Sequence, residues 1–62
     1  MKVWQIIGII EADGWQLIRT RGSHRQYEHS RKPGLVAIPG KRSDDLHPKT
    51  AASILRQAGF DR

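Results

Sequence analysis

His24 stands in a run of cations, Arg19-Thr20-Arg21-Gly22-Ser23-His24-Arg25-Gln26-Tyr27, and those residue types suit chemistry on a phosphodiester. An imidazole changes protonation near neutral pH, so it can take or give a proton there. Guanidinium groups hold phosphate oxygens through two parallel hydrogen bonds. The same set also suits phosphate binding without reaction, and the residues by themselves leave both readings open. Ser23 has the hydroxyl of a nucleophile but no evident partner base or acidic orienter, so it reads as a turn residue beside Gly22. A second basic cluster, Lys41-Arg42-Ser43-Asp44-Asp45, offers cations to a nucleic-acid backbone or is simply a solvated loop. Asp44, Asp45 and His47 are close enough in sequence to suggest a divalent ion. Their spacing matches no metal motif, and acidic residues before a helix commonly stabilise its positive end, so no metal is expected. His29 and His47 read as solvent-facing residues at a strand end and a helix start.

The elements that must position these residues follow from periodicity. Val3, Ile6, Ile7 and Ile10 repeat at the spacing of a helix with one buried face, which predicts a helix over 3–12 closed by Asp13-Gly14. Trp4 and Ile9 lie off that stripe and are expected to widen the buried face; the alternative is a patch that another protein covers. Trp15–Arg21 and His24–His29 read as strands joined by a Gly22-Ser23 hairpin turn. Alternation about a buried Tyr27 puts Arg25 and His29 on its side and His24, Gln26 and Glu28 on the other. Arg31-Lys32-Pro33-Gly34 is a polar turn, and Leu35-Val36-Ala37-Ile38 has the unbroken apolar character of a buried strand, stopped by Pro39-Gly40. Pro48 suits the first turn of a last helix whose apolar face is Ala51, Ile54, Leu55 and Ala58, capped by Gly59. The connections are too short for parallel crossovers. The expected fold is therefore α+β, in the order α-β-β-β-α. It has a three-stranded antiparallel sheet with both helices on one face and the other face open.

Composition sets limits on function. Sixty-two residues make one domain over 1–62, near the lower limit for folding without a staple. The chain has no cysteine, which excludes a disulfide, a thiolate nucleophile and a thiolate metal site and fits a reducing compartment. A net charge of +5 favours an anionic partner, nucleic acid first, with an acidic protein or an anionic membrane behind it. The apolar Val3–Ile10 run is too short to span a bilayer, and no small-residue cleavage site follows it. A cytoplasmic protein that uses no membrane is expected.

Gly14-Trp15, Arg19, Gly22-Ser23-His24, Val36-Ala37-Ile38-Pro39 and Ile54-Leu55-Arg56-Gln57-Ala58-Gly59 together resemble the HicA family of toxins, over nearly the whole chain. The resemblance implies a small ribonuclease of a type II toxin–antitoxin system, with a fold like the double-stranded RNA-binding domain, neutralised by a HicB antitoxin. It implies that His24 is the catalytic histidine, and the chemistry expected of that residue is cleavage of mRNA without metal or small-molecule cofactor. Arg19, Arg21, Ser23, Arg25, Lys41 and Arg42 are the residues expected to hold RNA. Two departures stand out. Many members carry a further histidine shortly after the proline closing the third strand, where this chain has Pro39-Gly40-Lys41, and Lys49-Thr50-Ala51 replaces a common Gly-Thr-Leu. The other readings are a non-catalytic RNA-binding module of the same fold and a protein-interaction domain using Trp4, Ile9 and the open sheet face.

Overall fold

Val3, Ile6, Ile7 and Ile10 fall within about 100° of one another around a helical wheel, and one packed layer against that arc suffices to hold a segment of mediocre helix propensity. In the computed structural model, which describes residues 1–60, they are the buried residues of α1 (Val3–Ala12). Strands β1 (Gln16–Arg21), β2 (His24–Glu28) and β3 (Val36–Ile38) follow, and α2 (Pro48–Gln57) ends the order. The sheet is antiparallel with strands in the sequence order β1-β2-β3. The buried face of α1 meets Trp15, Tyr27, Val36, Ile38, Leu46, Ala51, Ile54 and Ala58 in one apolar cluster, with Leu55 at its margin. The expected α-β-β-β-α architecture is the one observed, with the core between the helices and one face of the sheet.

Both helices stop in the same way. Trp15 N–H donates to the Ile10 carbonyl and Gly14 N–H to that of Glu11, while Phe60 N–H donates to Leu55 and Gly59 N–H to Arg56. These paired bonds form the Schellman motif, which needs a left-handed residue after the cap. Gly14 and Gly59 supply it, at φ of 107° and 86°. Lys32 then joins the two ends: its ammonium donates to the Asp13 carboxylate and the Ala58 carbonyl, and sits 4.9 Å from the centre of the Phe60 ring. A cation at a helix C-terminus is favourably placed against the macrodipole, and here one serves both helices.

Three expectations need correction. Trp4 and Ile9 do not widen the buried face: they remain 51% and 37% exposed, because they sit about 110° to either side of the packed arc. Leu35 is exposed and precedes β3, and Ala37 is exposed between buried Val36 and Ile38. That strand therefore alternates, since only one side of the sheet is covered. His29 does not face solvent; its side chain is 4% exposed. Its Nε2 meets the Asp13 carbonyl at 2.7 Å, and its Nδ1 accepts from the N–H groups of Arg31 and Lys32. With two donors at Nδ1, Nε2 is the nitrogen that donates to the Asp13 carbonyl, and the ring is a brace, edge-on to Trp15 at 5.3 Å between centroids.

The first strand begins one residue later than expected, because Trp15 is spent on the helix cap and the core. Its pairing also slips. Leu17 lies opposite Tyr27 and Arg19 opposite Gln26, so Ile18 is an extra residue, a β-bulge. Every β1 residue is exposed, Leu17 and Ile18 at 50% and 40%. The helices cover β2 and β3 but leave this edge standing clear.

Candidate functional site

The hairpin corner is set by Gly22, whose φ of 57° is positive while Ser23's is not. A two-residue turn with glycine first and only that residue at positive φ follows the type II′ pattern, whose twist matches the flanking strands. It makes Arg21 and His24 the closing pair of the hairpin. Residues directly opposite one another in an antiparallel pair point to the same face, with Cβ atoms about 4.5–5.5 Å apart.

That pairing settles which cations accompany His24. Arg21 faces it across the strands, and Arg19, opposite Gln26, lies diagonally on the same side, about 7–8 Å from Cβ to Cβ. The closing pair is responsible, since alternation back from Arg21 returns Arg19 to the open face. The extra residue at Ile18 acts further back, keeping Leu17 opposite Tyr27 on the packed side where an unbroken strand would place Ile18. Gln26 pairs with Ala37 of β3, so the same surface continues across the sheet. His24, Arg19 and Arg21 are all exposed, and among the described residues the His24 ring makes no side-chain hydrogen bond and no pocket is enclosed. The three side chains stand together on the open face of the sheet.

Arg25 is not part of that face. It alternates onto the side of Tyr27, is half-buried, and donates from its guanidinium to the Gly40 carbonyl at 2.9 Å, tying the end of β3 to the hairpin. Ser23 is exposed at the turn beside the site. Lys41 and Arg42 follow Gly40 where β3 leaves the sheet, at the hairpin end, and both are exposed. Their backbone is fixed. Lys41 N–H donates to the Asp44 carboxylate at 2.9 Å, and the Arg42 carbonyl accepts from Trp4 N–H at the start of α1. Arg42 lies nearer the helix side, within electrostatic reach of Tyr27. The Tyr27 hydroxyl is pushed up by burial and by the Glu11 carboxylate, with Arg25 and Arg42 opposing. That phenol therefore stays protonated and is no base at neutral pH.

The three residues weighed as metal ligands have other tasks. Asp44 accepts from Lys41, Asp45 pairs with the Lys2 ammonium at 3.1 Å, and His47 caps α2 by accepting the Lys49 N–H at its Nδ1. His47 is the helix-start residue expected. At the opposite end of the molecule, Lys32 holds the Asp13 carboxyl below its ordinary range by hydrogen bonding. The sequence left this Asp13–His29–Lys32 clasp unread because its partners are 16 and 19 residues apart. The irregular alternation of Trp15–Arg21 was the available sign of the bulge.

A family model described as the HicA toxin of bacterial toxin–antitoxin systems matches residues 5–60 of the chain. No curated protein matches it.

Proposed function

This chain belongs to the HicA toxin family of bacterial toxin–antitoxin systems, and from that premise we propose that it is an endoribonuclease that cuts mRNA with His24 as its general base. The observation that carries this reading is the exposed His24 ring closing the hairpin opposite Arg21, with Arg19 beside it, on the sheet face away from the helices. An RNA strand can reach all three groups at once without moving any packed element.

In the proposed reaction a neutral imidazole nitrogen of His24 takes the proton of a ribose 2′-hydroxyl. The 2′-oxygen attacks the adjacent phosphorus, the bond from phosphorus to the 5′-oxygen breaks, and that oxygen leaves with a proton returned from the imidazolium. The products are a 2′,3′-cyclic phosphate and a 5′-hydroxyl end. Because the nucleophile belongs to the substrate, the protein needs only a base and charge to steady the phosphate. A positioned base contributes on the order of 10²–10⁴-fold, and fixed donors aimed at the phosphate oxygens add to it. Arg21 and Arg19 are the groups placed to supply that charge, with Ser23 at the turn and Lys41 and Arg42 extending the basic track. Arg25 is better read as a brace for the loop that carries them. The HicA family works against a HicB antitoxin, and we propose that the antitoxin silences the chain by neutralising the arginines of this face.

Incubation of an end-labelled transcript with the parent and with His24→Ala tests the assignment. The parent should generate cyclic-phosphate ends, and the variant should melt at the same temperature yet leave the transcript whole. A parent that binds the transcript and never shortens it would make the chain a non-catalytic RNA-binding module.

A further inference from the structure

The two edges of the sheet are unequal. The β3 edge is three residues long, with Pro33 and Pro39 close on either side, and such shortness and missing donors discourage pairing. The β1 edge is six residues long, wholly exposed, and unpaired on its outer side among the described residues. Every second residue of it turns its N–H and C=O outward. Its outer row is flanked by Arg19 and Arg21 on one face and by exposed Leu17 on the other. A second copy of this chain would bring arginines against arginines, and like charges directly opposite repel. A strand with acidic residues at alternate positions would instead meet a cation at each of those places and cover Leu17 with its other face.

We propose that the outer edge of β1, Gln16–Arg21, is where an extended strand of an acidic partner protein, the antitoxin, adds to the sheet and sets carboxylates beside Arg19 and Arg21. The proposal rests on the toxin–antitoxin reading of the chain. Main-chain hydrogen bonds supply the grip in such strand addition, and alternate side chains supply the selection. A strand seated there would also neutralise the arginines flanking His24 while leaving the ring itself untouched.

Hydrogen exchange followed by mass spectrometry on the parent protein, alone and with purified antitoxin, tests this without reference to RNA cleavage. The expected result is slowed exchange across Gln16–Arg21 in the complex, at least tenfold at the outward amides, with antitoxin affinity reduced about tenfold or more in an Arg19→Glu/Arg21→Glu variant and kept in His24→Ala. Protection confined to α1 around Trp4 and Ile9, with β1 exchanging as in the free protein, would overturn the proposal. So would protection of β1 in the free protein that grows with its concentration, which would make the occupant a second copy. Equal protection of the outward amides by a single-stranded RNA oligonucleotide would assign the edge to nucleic acid. Because the readout is backbone protection, an inactive chain could still pass, and a nuclease could still fail.

Discussion

At the residue scale, the neighbours of His24 divide by face, and that division is testable. Arg21 shares the open face with the ring, whereas Arg25, next to it in sequence, bonds to the Gly40 carbonyl on the packed side. Arg21→Ala should lower cleavage of a labelled transcript by about tenfold or more, as expected for losing a charge-assisted contact to phosphate, with no change in melting temperature. Arg25→Ala should do the reverse in character, lowering stability by about 1–3 kcal/mol because a half-buried carbonyl loses its charged donor. Denaturant titration of the two variants separates these cases. His29 shows how far residue type misleads: it shares its chemistry with His24 and has none of its freedom. Replacing it by alanine removes three hydrogen bonds and the packing against Trp15, and should cost about 2–4 kcal/mol while His24 remains able to act in whatever fraction stays folded.

At the scale of the element, glycines mark both a weakness and a requirement. Gly8 lies in the middle of α1, exposed, and an added Cβ there would meet nothing within 4 Å. Gly8→Ala should therefore stabilise the fold by about 0.5–1 kcal/mol through the lower entropy of the unfolded chain, read as a raised denaturation midpoint with unchanged slope. Gly14 has the opposite character. Its φ of 107° and an added Cβ only 2.9 Å from His29 Nε2 make Gly14→Ala destabilising by more than about 1 kcal/mol. The bulge at Ile18 is the other element-scale device. Deleting Ile18 would make the pairing regular with Leu17 still opposite Tyr27 and Arg19 still opposite Gln26, so such a protein should keep both its RNA cleavage and, by circular dichroism, the same helices.

At the scale of the whole molecule, a net charge of +5 bears on the proposed RNA partner and on the response to conditions. Binding of single-stranded RNA should weaken linearly in log salt, with a slope of about −0.7 for each phosphate neutralised, and removing Arg19 or Arg21 should flatten that slope. Stability responds to acid through the clasp that closes both helices. The Lys32 hydrogen bond lowers the Asp13 carboxyl below its ordinary value, so the ionised form favours the folded state. That contribution is complete above the ordinary carboxylate range and fades as pH falls below about 4, through the lowered native value. Asp13→Asn should be less stable than the parent at neutral pH and should lose less on acidification. Among the described residues no helix is long and apolar enough to cross a membrane.

The element order was written in local patterns: a four-residue apolar arc for α1, glycines at both helix ends, a Gly-Ser corner, and an apolar face on α2. The resemblance of Gly22-Ser23-His24 and the Ile54–Gly59 ending to HicA toxins was legible too, because such motifs are contiguous. Local pattern could also say that His24 faces away from Tyr27, since alternation in a strand is a property of the strand alone. What it could not say is which residues of the neighbouring strand join His24. That depends on register, which the two-residue corner sets by pairing Arg21 with His24, while the extra residue at Ile18 decides that Leu17 lies opposite Tyr27. Nor could it separate His29 from His24, because a side chain is buried by partners distant in sequence, here Asp13 and Trp15, which only folding brings to it.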